Sequence, residues 1–239
     1  MLKLKKVVLI TSAVLLASTA VTATAASLDY RHEYKFGNNQ NADRIKIGGS
    51  TKTETGQHNY SVEMKFSGKE GNYGYNDMER GDSEFLYSYK YNIDEHWYVE
   101  PGMPITFGDE SVTYKPQVRV GYKFDNGIVT KLRYRHEFRD YTESKNNGDT
   151  YQKSKITYNL DYTWNNMIQL GFEANYEIAH EGDDWKLWDD SNKGYDYDLK
   201  IGYKNDSNWR PYVQFGNVGV SSKTDQRQLR SRVGITYSF

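Results

Sequence analysis

The 239-residue chain has no cysteine. It must be held by packing and backbone hydrogen bonding alone, although its first residues read as an address to a compartment where disulfides are allowed. Long apolar runs are missing as well. Beyond the first 25 positions no stretch approaches the roughly 18 uninterrupted apolar residues of a spanning helix. A helical membrane protein is excluded, and an exported chain is then either soluble or a barrel. Hydrophobic residues are scarce, at 37%, where a soluble domain of this length buries a large Leu/Ile/Val core. Nor does one sign of charge dominate. With 31 basic and 32 acidic residues, the bulk charge names no partner, and nothing marks the chain for nucleic acid.

What is present begins with a leader. Lys3, Lys5 and Lys6 precede an apolar run from Val7 to Ala17, and small residues follow as far as Ala23-Thr24-Ala25. This is the pattern of a secretory signal peptide, 1–25, cleaved after Ala25 or Ala26. The remaining 26–239 reads as one domain. The leader removes three lysines and no acid, so the mature chain is more negative than the formal −1 of the whole.

Tyrosine is abundant, with 22 residues beside five Trp and nine Phe. It recurs in segments of period two. In the clearest, Ile128, Thr130, Leu132, Tyr134, His136 and Phe138 alternate with Val129, Lys131, Arg133, Arg135, Glu137 and Arg139, so the strand has two unlike faces. The same alternation predicts strands at 28–36, 42–51, 58–67, 83–93, 96–107, 111–124, 127–140, 151–164, 167–179, 194–204, 208–218 and 228–239. The expected fold is therefore all-β, a transmembrane antiparallel 12-stranded outer-membrane β-barrel. Tight Asn-, Asp- and Gly-rich turns such as Asp125-Asn126 and Asn165-Asn166 alternate with longer polar segments such as 68–82 and 180–193. Both termini then lie on the short-turn, periplasmic side. Aromatics gather near strand ends, as Trp97, Trp164, Trp209 and Phe239 do, which fits interfacial girdles set in lipid and lipopolysaccharide. The last strand, ending Val233, Ile235, Tyr237, Phe239, resembles the segment by which the assembly machinery recognises outer-membrane proteins.

If the apolar class faces lipid, the other class faces the lumen, and there basic residues outnumber acidic ones. They fall in two sectors that a closed twelve-strand barrel sets across from each other. One holds Arg31, Arg44, Lys46, Arg210, Arg230 and Arg232. The other holds Lys115, Arg119, Lys131, Arg133, Arg135 and Arg139. Arginine stays charged and offers a planar fork to carboxylates, so such ladders could pass a polyanion from rung to rung. The competing expectation is that lumenal acids such as Glu33, Glu137 and Glu173 neutralise the arginines in a stiffening network. Both are expected, with some arginines left unpaired.

The sequence offers little to an enzyme. A lipid-facing phospholipase needs a serine beside its histidine, yet His136 and His32 have only aromatic neighbours on their own faces. His180 with Asp183 and Asp184 could mark a rim hydrolase or an adhesin surface in the loop 180–193, and the same acids could hold Ca²⁺. Their spacing matches no ordered ligand loop, so neither a metal nor a cofactor is expected.

Several runs of the mature chain resemble the KdgM-type oligogalacturonate-specific porins. They are Ser27-Leu28-Asp29-Tyr30-Arg31-His32-Glu33, Val99-Glu100-Pro101-Gly102, Leu132-Arg133-Tyr134-Arg135, Trp209-Arg210-Pro211-Tyr212-Val213 and Arg232-Val233-Gly234, with Tyr237-Ser238-Phe239 at the end. The resemblance implies a monomeric twelve-stranded channel in the bacterial outer membrane. It implies acidic oligosaccharides as solutes, most specifically pectin-derived oligogalacturonates, with another acidic sugar such as sialic acid as the alternative.

Overall fold

A computed structural model describes residues 25–71, 78–180, 185–204 and 206–239. The leader expectation for residues 1–24 lies outside the described residues, as do Asp77, Asp183 and Asp184. Thirteen strand segments follow one another: β1 (Ala25–Lys35), β2 (Gln40–Lys52), β3 (Gly56–Ser67), β4 (Glu79–Asn92), β5 (Trp97–Phe107), β6 (Ser111–Tyr114), β7 (Gln117–Lys123), β8 (Val129–Tyr141), β9 (Thr150–Trp164), β10 (Ile168–Ala179), β11 (Lys193–Tyr203), β12 (Trp209–Gly219) and β13 (Arg227–Ser238). Segments β6 and β7 are two halves of one stave. Both pair with β5 on one side and β8 on the other. The interruption falls at Lys115-Pro116, where proline removes a ladder donor, and Lys115 N–H to the Pro104 carbonyl and His136 N–H to the Pro116 carbonyl carry the pairing across it. The staves therefore number twelve, and the sequence-predicted strands agree with them to within a few residues.

Every stave pairs antiparallel with its chain neighbours, and β13 returns to β1, from Ser27 opposite Ser238 to Lys35 opposite Arg230. The sheet has no free edge. Followed once round from Ser27, the register returns to β1 about fourteen residues further along. With twelve staves, that shear gives a tilt of about 40° and a backbone radius of roughly 11 Å.

Turn chemistry explains the short connections. Asn165 and Asn166 have φ of 49° and 57°, which the two central positions of a type I′ turn require and asparagine tolerates. Gly127 takes φ 84° and closes the Asp125-Asn126 turn by donating to the Phe124 carbonyl at 3.0 Å. Asp94 caps its own turn by accepting from the backbone N–H groups of His96 and Trp97 at 2.8 and 2.6 Å.

The two faces sort as the alternation predicts. The large exposed apolar side chains of the strands, from Ile47 and Phe85 through Leu132 and Tyr134 to Leu199 and Val233, belong to the outward class. The buried set is mostly polar, including Glu33, Glu63, Glu100, Glu137, Thr157 and Asp198. The molecule is thus apolar outside and polar inside, the arrangement of a barrel solvated by lipid. Its register and its faces are those of a protein of the bacterial outer membrane.

Candidate functional site: the lumenal wall

Side chains of the inward class meet across an intervening strand, which only the concave face of a sheet permits. The Tyr212 hydroxyl on β12 donates to Asp29 on β1 at 3.2 Å, passing over β13. Lys115 reaches Glu84 on β4 at 2.9 Å, passing over β5. Arg232 bridges Glu33 at 2.6 Å and Asp198 on β11 at 3.3 Å.

All twelve sequence-predicted basic residues belong to this class and fall in two groups. Arg31 on β1, Arg44 and Lys46 on β2, Arg210 on β12, and Arg230 and Arg232 on β13 lie on adjoining staves. Lys115, Arg119 on β7, and Lys131, Arg133, Arg135 and Arg139 on β8 form the other group. At the heart of each, arginines stand directly opposite in the register, Arg31 beside Arg44 and Arg119 beside Arg133. Like charges placed so destabilise a sheet. The staves β3, β4 and β5 separate the two pairs on one side and β9 to β13 on the other, so the pairs face each other across the lumen.

The expected neutralising network is present and partial. Arg44 pairs with Asp29 at 2.5 Å and Glu63 at 3.3 Å, Arg119 with Glu100 at 2.8 Å, Lys131 with Asp161 at 2.6 Å, and Arg230 with Asp198 at 2.5 Å. Arg135 donates two hydrogen bonds to Gln117 and lies 3.8 Å from Glu137. Of the acids foreseen as partners, Glu33 takes Arg232, while Glu137 is closer to Lys153, at 3.4 Å, than to any arginine. Glu173 is held by Asn159 and Asn175 instead. Arg31, Lys46, Arg133, Arg139 and Arg210 make no ion pair among the described residues. Arg133 donates only to the buried Thr157 hydroxyl, at 2.9 Å. The Nε atoms of Arg31, Arg44, Arg119, Arg133, Arg139, Arg210 and Arg230 find no partner among the described residues.

Two inward tyrosines were not singled out by the sequence. Tyr98 and Tyr212, 5% and 6% exposed, lie flat on the wall where Gly121 and Gly234 stand opposite them in the register. A Cβ on either glycine would come within 2.3 Å of a ring carbon. Each ring carries a lysine ammonium on its face, Lys90 at 4.4 Å and Lys200 at 3.9 Å. Period two did hold the signal, since both aromatics fall among polar residues of the inward class.

The serine that sequence reasoning did not find beside His136 sits on the next strand. Ser154, opposite His136 in the register, lies 3.2 Å from its Nδ1 and 2.7 Å from His180 Nε2, with the Tyr134 hydroxyl at 3.0 Å. The other nitrogen of His136 faces the Gln152 amide oxygen at 3.2 Å, so no carboxylate orients the imidazole. Among the described residues no group of three His, Cys, Asp or Glu side chains is placed to hold a metal. Of the acids in the loop 180–193, Asp189 and Asp190 take φ of 50° and 49° and form a tight turn.

Comparison with known proteins identifies the family of the barrel. The family described as "Oligogalacturonate-specific porin protein (KdgM)" matches residues 18–239. The oligogalacturonate-specific porin KdgM of Dickeya dadantii (strain 3937) is 33% identical over 98% of this chain and 100% of its own. The N-acetylneuraminic acid outer membrane channel protein NanC of Escherichia coli (strain K12) is 24% identical over 99% of this chain and 100% of its own. A solved KdgM porin superposes with a TM-score of 0.66 at 27% identity, covering 89% of this chain and 99% of that one. These relatives are channels, not enzymes. This chain is an outer-membrane porin and belongs to the KdgM family of oligogalacturonate-specific porins.

Proposed function

We propose that the protein lets anionic oligosaccharides diffuse passively across the outer membrane between two facing basic tracks, and that oligogalacturonates are its solutes. The observation that carries this reading is the pair of like-charged register contacts, Arg31 with Arg44 and Arg119 with Arg133, set on opposite walls. Such juxtapositions cost stability, and a solute bearing one carboxylate per ring offsets that cost as it passes. The partial pairing of the other cations favours many weak contacts over one tight site, as translocation needs. The name of the Dickeya relative supports uronates. The 24%-identical NanC, a sialate channel by name, keeps a second acidic sugar as the alternative.

Liposome swelling tests the reading. Galacturonate oligomers should enter faster than neutral oligomers of equal size, and equal rates, or cation preference in planar bilayers, would overturn it. The leader 1–25 is read as removed on export. The barrel is read as a monomer in lipid and lipopolysaccharide, delivered through its C-terminal strand ending in Phe239.

A further inference from the structure

Ahead of β11, residues 185–192 form a strap over the barrel's rim. Its turn runs from Trp188 to Ser191, closed by the Ser191 N–H donating to the Trp188 carbonyl at 2.9 Å and the Leu187 N–H to the Ser191 carbonyl at 2.8 Å. Trp188 lies outside the wall. It packs on Tyr195 at 5.2 Å and on the Arg227 guanidinium at 5.4 Å, above Gly219, where a Cβ would come 2.9 Å from its ring. These partners belong to the outward class.

Trp185 lies on the other side of the rim. Its ring is 5.5 Å from Tyr151, with the Arg139 guanidinium at 5.4 Å and the Lys153 ammonium at 5.6 Å. These three residues are inward on β8 and β9. Lys153 is committed to Glu177 at 2.8 Å and Glu137 at 3.4 Å. Arg139 has no carboxylate partner among the described residues. Its guanidinium reaches only the Tyr141 hydroxyl, at 3.5 Å, and its Nε is buried without a partner. Arg139 is also the highest of the β8 basic rungs, toward the long-loop side. The strap therefore sets a half-exposed indole against a guanidinium that has no carboxylate partner among the described residues.

We propose that Trp185 and Arg139 form an entry subsite for a single uronate ring. The apolar C–H face of the pyranose lies on the indole, and its carboxylate takes the guanidinium fork. Small inorganic anions use only the second half of the subsite. The strap thereby selects a charged sugar over charge alone, before the solute reaches Arg135 and Arg133. The proposal rests on the anionic-saccharide reading above.

Single-channel recording with two trianions separates the parts. A galacturonate trimer carries rings and charge, whereas citrate carries three carboxylates and no ring. Trp185→Ala should weaken blockade by the trimer about tenfold, the loss expected of one removed stacking platform, and blockade by citrate less than twofold. Trp185→Phe should stay within about threefold of the wild type for the trimer, and Arg139→Gln should weaken both trianions. Heat-modifiable migration in detergent identifies variants that fold. If Trp185→Ala weakens both trianions equally, or neither, the subsite is refuted. A wild-type channel that the trimer does not block at all refutes instead the anionic-saccharide reading on which the subsite rests.

Discussion

At the scale of single residues, Arg133 and Arg119 carry the same charge in adjacent register positions but are held differently. Arg119 is tied to Glu100, which also accepts from Ser88 at 2.7 Å and Asn59 at 3.3 Å. Arg133 has only a hydroxyl. A free charge about 7 Å from a passing ion contributes roughly 0.6 kcal/mol in salt-free water, a factor of nearly three, and salt screening reduces it, so Arg133→Ala should lower the chloride-to-potassium permeability ratio about twofold. The outward Tyr134→Phe should leave that ratio unchanged, and equal effects of the two would reverse the facing of β8. Glu100→Gln should act with the opposite sign, raising the ratio by releasing Arg119. The same change should cost at least about 1 kcal/mol of stability, because a buried acceptor network is broken, and a lowered melting temperature in detergent would register it. None of these partners was legible in the sequence. Alternation gave each arginine its face, but which carboxylate it meets depends on register and on strands two away, as with Arg232 and Asp198.

At the scale of elements, aromatic rings pack tightly on glycines of the wall. Gly234→Ala would drive a Cβ into the Tyr212 ring, 2.3 Å from a ring carbon, and overpacking of this kind costs about 1–3 kcal/mol. The variant should melt lower, and Tyr212→Ser in the same chain should restore part of the loss. Additive destabilisation would show that the ring and the glycine do not contact each other. The β4–β5 turn offers a pH-dependent counterpart. Two backbone N–H groups, that of Trp97 first and that of His96 next, hold the Asp94 carboxylate below its ordinary value. A depressed folded-state value means that the stabilisation is present above the unfolded pKa, about 3.9, and is lost as pH falls through the lower folded value. Asp94→Asn should therefore melt below the wild type at pH 7, with the gap closing in acid, and a gap independent of pH would show that charge plays no part. Turns were the best-read elements in the sequence, because Asn165-Asn166 and Asp125-Asn126-Gly127 need particular backbone angles that few residues adopt. The stave broken at Lys115-Pro116 read as one strand because period two continues through it. The inward seat of Trp185 was not legible at all, since it is set by a loop lying over a strand it does not adjoin in sequence.

At the scale of the whole molecule, the chain segregates charge that its composition conceals. With 31 basic and 32 acidic residues, it is near neutral overall, yet both arginine pairs stand on facing walls. The closed register makes the segregation possible, since twelve tilted staves put β1 and β2 opposite β7 and β8 at a backbone radius of roughly 11 Å. An extended arginine side chain is long enough to carry its charge from that radius to within several ångströms of the axis. At 0.1 M salt the Debye length is about 10 Å, so the fields of the two arginine pairs overlap on the axis between them. At 1 M it is about 3 Å, and a small ion on the axis is screened from both. The chloride-to-potassium permeability ratio should therefore fall steeply toward one between these salts, and the twofold effect of Arg133→Ala should vanish with it. A galacturonate trimer, whose carboxylates touch the guanidinium groups directly, should retain measurable blockade at 1 M. Selectivity that ignored salt would place the discrimination in a dry contact rather than in the field of the tracks. Loss of trimer blockade in parallel with chloride selectivity would mean that the sugar is steered through the pore without ever being held by the wall.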